Sequence, residues 1–353
     1  MIPLLSETSM HLDRHLLKQA EQQGLLQSEQ IEPLWQFLQQ ANADRPGFRA
    51  SHLLYYFGGL LAIGAMTLFM TLGWEQFGGG GLVVISLIYA VAGLAVTEHL
   101  LGRRLFIPAG ICATFVLALT PLLVYGVQQL CGQWSGEMEY RDYHRYIDWR
   151  WIMMELATLA VGAVLLWRYR LPFLVMPIAV TLWYMSMDLT PFLFGQEDYD
   201  WLLRKWVSVY SGLLIMLLGF WVDIRTRHTR DYAFWLYLFG LMAFWGGLSS
   251  MNSDSEWNKF IYLCINLGLL LLGAILSRRA FAVFAAFGIC GYLGHLAYDV
   301  FEDSLMFPFV LTLLGFAIIG AGLWWQRHET ALTLRLRGLL PQALRELIEH
   351  RAN

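Results

Sequence analysis

Ten runs of apolar residues, most of them close to 20 long, divide this chain, with polar turns and loops between them. They fall at about 52–73, 81–100, 105–126, 150–167, 171–188, 206–223, 232–250, 259–277, 280–299 and 305–325. A helix rises about 1.5 Å per residue, so about 20 consecutive apolar residues cover a hydrocarbon layer of about 30 Å. The pattern therefore predicts an all-α fold, a polytopic transmembrane helical bundle of about ten spans arranged as hairpins. The narrowest division is Arg168, Tyr169 and Arg170, between the fourth and fifth runs. Two arginines do not sit in hydrocarbon, so these are two spans and not one.

Outside the runs the period changes. Leu12, Leu16 and Ala20 recur every fourth residue, and Gly24 supplies a stop. Ile31, Leu34, Trp35 and Leu38 then follow at i, i+3, i+4 and i+7, with either Ser28 as N-cap or Pro33 in the first turn. Beyond Gln326, Pro341 can open another helix, with Leu340, Leu344, Leu347 and Ile348 on one face. Three parts result: a cytoplasmic helical segment at 1–50, a transmembrane domain at 51–326, and an amphipathic cytoplasmic tail at 327–353. The first 50 residues hold no short apolar stretch with a small-residue cleavage site, so the first span is expected to act as the targeting signal.

Composition agrees with a bilayer environment. Hydrophobic residues make up 57% of the chain and charged residues 14%, where soluble domains carry roughly 25% charged. The few charges are ordered. Eighteen of the 24 lysines and arginines fall with the termini and the turns at Arg103-Arg104, Arg168/Arg170, Arg225/Arg227/Arg230 and Arg278-Arg279; the other six lie in the alternate loops. Basic residues stay on the cytoplasmic side of short loops, so both termini are expected inside. A net charge of −3 offers no field for nucleic acid. Cys112, Cys131, Cys264 and Cys290 form no CxxC pair and have no zinc-like spacing with histidine. No hydrolase signature is visible, and Gly78 to Gly81 lacks the Lys-Ser/Thr of a phosphate loop; it reads as a flexible outer turn. No enzyme activity, cofactor or metal is expected.

Four hairpins share one grammar, with arginine turns centred on Arg104, Arg170, Arg227 and Arg279. Two outward runs end alike, at Leu119-Thr120-Pro121 and Leu189-Thr190-Pro191. Either duplication or the rule on basic turns alone produces such a pattern. No charged residue falls at mid-bilayer depth, which argues against an ion-coupled pump.

The residues most suited to a site are near the outer ends. Gly288, Gly291, His295 and Asp299 share one helical face, where small residues admit a neighbouring helix and leave His295 and Asp299 facing inward. Glu155, about one turn into the fourth span, and Asp188, at the outer end of the fifth, complete a candidate polar vestibule of Glu155, Asp188, His295 and Asp299. Glu302 and Asp303 add to its negative field. The loop carrying Trp134, Tyr140, Tyr143, Tyr146, Trp149 and Trp151 reads as an interfacial aromatic belt, or else as an outer lid. Glu98-His99, before Arg103, reads as helix capping and headgroup contact.

The segment Gly24-Leu25-Leu26-Gln27-Ser28-Glu29-Gln30, with the first span Leu53-Leu54-Tyr55-Tyr56-Phe57-Gly58-Gly59-Leu60-Leu61, resembles a prokaryotic family of predicted polytopic membrane proteins, a domain of unknown function. Its members join a short cytoplasmic helical N-terminus to an array of membrane helices. The resemblance implies a bacterial plasma membrane, specifically an inner membrane, and transfers no catalytic residue. Two functions remain open: a permease-like protein for a small or amphipathic solute, or a membrane scaffold or sensor that meets a protein partner through its cytoplasmic termini. Membrane lipids are partners of either.

Overall fold

The computed structural model describes residues 23–43, 50–73, 77–134, 149–194, 201–226, 231–251, 255–276 and 278–296, with isolated positions at 17, 20–21, 253 and between 309 and 323. Among the described residues every regular element is helical. In order these are α1 (Ser28–Ala43), α2 (Ala50–Gly73), α3 (Gly78–Gly102), α4 (Phe106–Ala118), α5 (Thr120–Leu130) and α6 (Trp149–Tyr169); after a 3-10 turn (Pro172–Leu174) come α7 (Val175–Phe194), α8 (Trp201–Arg225), α9 (Ala233–Ser249), α10 (Glu256–Leu276) and α11 (Arg279–His295). The first nine apolar runs each coincide with helix. Of the tenth only isolated helical positions between 309 and 323 are described, and the loop 135–148 and the tail at 327–353 lie outside the described residues. Five stretches, Gly78–Gly102, Phe106–Leu130, Trp149–Tyr169, Trp201–Arg225 and Glu256–Leu276, are long and apolar enough to cross a membrane.

The local stops follow backbone chemistry. At Gly24 (φ 71°) the chain closes the preceding turn with Leu25 N donating to Ala20 O and Gly24 N to Glu21 O, the paired bonds of a Schellman cap. α1 begins where Gln30 Oε1 accepts from Gln27 N at 3.2 Å, so Ser28 opens the helix itself and Gln27 caps it; Pro33 lies inside. The same closure ends α3, with Leu105 N donating to Leu100 O and Arg104 N to Leu101 O. Arg104 there takes φ 58°, and Arg170 takes φ 53° after α6. That left-handed position favours glycine, and an arginine in it marks a turn where the charge matters more than backbone ease. The fourth arginine turn differs: Arg278 is extended (φ −111°, ψ 105°) before α11. The four hairpins therefore do not share one turn geometry.

Two of the expectations at glycine and proline need correcting, at Gly78 to Gly81 and at Pro191. Gly78 to Gly81 is the first turn of α3 and not a flexible outer turn, because Gly79 packs against α5; a Cβ on Gly79 would lie 2.7 Å from Gly126 O and 2.9 Å from Leu130 N. At Pro121 the helix is interrupted, as a proline inside an apolar run leads one to expect: α4 stops at Ala118, and α5 restarts with Pro121 in its first turn, where a missing N–H is tolerated. Pro191 does not end α7, which runs on to Phe194.

The chain divides into two compact units, 1–177 and 178–351. In the first, α3 packs on α4 and α5, and Leu82, Leu122, Tyr125 and Met154 form a buried cluster with Trp134 and Trp151 against it. Those two tryptophans pack into the unit, whereas Trp149 is exposed; the tyrosines of that loop lie outside the described residues. Arg168 Nη2 meets Glu98 Oε1 at 3.1 Å, which brings the turn after α6 to the end of α3. At the opposite helix ends, Gln128 donates to Arg150 O at 3.2 Å, Trp134 Nε1 donates to Gln128 Oε1 at 3.2 Å, and the Arg150 guanidinium lies 4.2 Å above the Trp134 ring.

In the second unit, α8 and α9 approach closely through Gly212 and Gly219 on one helix and Gly240 and Gly247 on the other, each pair seven residues apart. A Cβ on Gly212 would overlap Phe244 N and sit 2.6 Å from Gly240 O; one on Gly247 would sit 2.8 Å from Lys205 O. Ser208 Oγ donates across to Ala243 O at 2.8 Å. α10 and α11 join this pair around Met216, Tyr237, Leu241, Leu269, Leu276 and Phe281. Large apolar side chains also stand exposed on each unit by itself, among them Ile88 (62% exposed) and Val164 (62%) in the first and Leu214 (66%) in the second.

Because backbone atoms fill the space at Gly212, Gly212→Ala is expected to destabilise the purified protein by about 1–3 kcal/mol. Gly246→Ala, whose Cβ meets nothing within 4 Å, is expected to be neutral. A thermal melt of the full chain in detergent compares them.

Candidate functional site

α6 buries Met154, Thr158, Gly162 and Leu165 at steps of four, four and three, with Glu155 next to Met154, and so along one face. Glu155 is 9% exposed and stands six residues into the helix, about 9 Å along its axis. Met154 beside it belongs to the cluster with Leu82, Leu122 and Tyr125. Thr158 returns its hydroxyl to Met154 O at 2.7 Å, which satisfies that buried group within its own helix. Glu155 therefore lies deeper and drier than a carboxylate at the mouth of a span, and it belongs to the first unit.

Asp188 and His295 belong to the second. Asp188 is half-buried, and since α7 continues for six residues beyond it, it is not at the helix end. His295 closes α11 with its side chain 15% exposed, and its Nε2 stands 3.1 Å from Glu256 Oε2 and 3.3 Å from Oε1. Glu256 also accepts from Lys259 Nζ at 2.8 Å. Asp299, Glu302 and Asp303 lie outside the described residues. The partner of His295 was legible in principle: Glu256 opens α10 and His295 closes α11, so an antiparallel hairpin puts both at one end.

The glycine face of α11 works at Gly288 and not at Gly291. A Cβ on Gly288 would overlap the Asn266 amide, whereas one on Gly291 meets nothing within 4 Å. Asn266 is fully buried in α10. Its Nδ2 donates to Tyr262 O at 2.8 Å, and its Oδ1 accepts from Trp245 Nε1 at 3.2 Å. An amide in the middle of an apolar helix was the overlooked signal; Gly288 is small because Asn266 occupies its space.

The densest charge cluster went unread in the sequence. Arg278 Nη2 meets Asp223 Oδ1 at 3.0 Å and Asp231 Oδ1 at 2.8 Å, and its Nη1 meets Asp231 Oδ2. Tyr237 donates its hydroxyl to Asp223 Oδ2 at 3.3 Å and lays its ring 5.3 Å from the guanidinium. The Arg278 and Asp223 side chains are only 11% and 9% exposed. Burial by itself works against the charged guanidinium; bonding to Asp231, then the charges of Asp231 and Asp223, outweigh it and hold the Arg278 pKa above its ordinary value. The two-carboxylate fork thus keeps arginine charged in a nearly dry corner, and it ties the α8–α9 corner to the α10–α11 turn.

No family model matches the chain, and neither the curated proteins nor the solved structures contain a match to it. Function has to be read from the side chains themselves.

Breaking the Arg278 fork leaves Asp223 buried without its cation. Arg278→Gln is expected to cost about 3 kcal/mol, and Asp223→Asn added to it is expected to recover part of the loss. A double-mutant cycle on thermal stability measures the coupling.

Proposed function

We propose that this chain is an integral protein of a bacterial inner membrane, with about ten spans and both termini in the cytoplasm, and that it acts as a permease-like carrier of a small or amphipathic solute. The observation that carries the proposal is the burial of Glu155. A carboxylate held inside an apolar bundle is costly, and proteins that keep one there commonly use it to bind what passes. Glu155 is the proposed binding group, carried by the first unit, and its carboxylate favours cationic or amphipathic solutes over anions. The arginine-bearing turns, which gather at one end within each unit, support the inward orientation.

A specific observation favours the second reading, a non-catalytic scaffold or sensor. Gly212, Gly240 and Gly247 bring α8 and α9 into backbone contact, so no solute passes between those two helices. On that reading the protein partner binds the cytoplasmic ends, 1–50 and 327–353, and Glu155 is dispensable.

Flux of cationic and amphipathic solutes into proteoliposomes separates the two. The permease reading expects solute-specific flux that Glu155→Gln lowers at least tenfold. Flux that is equal in empty liposomes, or unchanged by Glu155→Gln, overturns it.

A further inference from the structure

The end of α6 combines a cationic cleft with an apolar track. Trp167, Arg168 and Arg170 line one open surface hollow of about 360 Å³. Trp167 is 78% exposed and the Arg168 side chain 61%. Arg168 ion-pairs with Glu98 and lies 5.1 Å from the Tyr169 ring, so it is oriented from two sides while still open to the hollow. Glu98 stands in the last turns of α3, and the exposed Arg103 and Arg104 follow directly. The two turns thus carry four arginines, and the helix ends that form them carry one carboxylate, Glu98. Arg170 holds its place at φ 53°, where glycine would be easier.

A second, independent feature says what occupies the cleft. Met153, Leu156, Ala160, Val164 and Trp167 fall at i, i+3, i+7, i+11 and i+14 of α6, and all five are exposed. They form a continuous apolar stripe about 21 Å long that ends at the arginines. A free phosphate has no use for such a track. A molecule with an anionic head and a hydrocarbon tail matches both parts.

We propose that Trp167, Arg168 and Arg170, beside the Arg103-Arg104 turn, form a binding site for the headgroup of an anionic phospholipid, with an acyl chain lying along the α6 stripe. The inference rests on the membrane reading and on no assumption about transport. The arginines pair with the phosphate oxygens as charge-assisted hydrogen bonds, and the exposed indole sits where headgroup meets hydrocarbon. A zwitterionic lipid brings its own ammonium to the phosphate and so gains less from a turn that carries two arginines.

The test uses the purified full chain in non-ionic detergent, titrated with phosphatidylglycerol, phosphatidylcholine or inorganic phosphate. Native mass spectrometry counts bound lipid and a thermal melt reads stabilisation. Phosphatidylglycerol is expected to bind about tenfold more tightly than phosphatidylcholine, with no stabilisation by inorganic phosphate. Arg168→Gln/Arg170→Gln is expected to lose about tenfold of that affinity, as is Trp167→Ala/Arg170→Gln, which leaves the Arg168–Glu98 pair intact if the first variant fails to fold. Equal binding of the two lipids, stabilisation by inorganic phosphate matching that by phosphatidylglycerol, or unchanged binding in both variants overturns the site. Release of the chain from membranes by alkaline washing overturns the membrane reading itself, whichever lipid is added.

Discussion

These helices carry more apolar surface than they can hide against one another. Within each unit the contacting faces are narrow, and the opposite faces still present Ile88, Val164 and Leu214 outward. Water is a poor solvent for such a surface, and a soluble monomer rarely exposes more than a few hundred Å² of it in one patch. A bilayer accepts it, on the condition that every backbone N–H and C=O is satisfied within the segment that crosses. On the proposed membrane reading, that condition accounts for a chain whose described elements are all helical.

Once apolar surface can face lipid, burying it no longer drives helices together, and other forces hold the bundle. The units use two. Glycine brings backbones into contact, at Gly79 with Gly126 and at Gly212 with Gly240. Buried polar groups then tie helices at chosen levels: Asn266 with Trp245 in the interior, and Arg278 with Asp223 and Asp231 at the helix ends. Among the described residues the charges stand at or near those ends, apart from half-buried Asp188 and the more deeply buried Glu155. Its burial is the feature that packing alone does not ask for, which is why the functional proposal is built on it.

Periodicity made the helices legible, because a run of 20 apolar residues has no other stable form in this setting. It was weaker at the places where backbone chemistry rules. A string of four glycines reads as a loop until α5 is seen to need the space at Gly79, and Pro121 reads as an end until α5 resumes around it. Contacts distant in sequence left almost no trace: Arg278 and Asp223 lie 55 residues apart, and nothing in either neighbourhood points to the other. Of the vestibule residues, Glu155 stood out as a carboxylate in an apolar run, although its depth came only from the packing of Met154 and Thr158 around it. The pairing of His295 with Glu256 needed the hairpin, not the helix, as the unit of reading.

The central claim is that lipid solvates this bundle with its arginine turns facing the cytoplasm. Paired reporter fusions after Arg104, Arg170 and Arg227, one reporter active only inside the cell and one only outside, test it most directly. The account predicts activity from the inside reporter alone at all three turns. Activity from the outside reporter at any of them contradicts it.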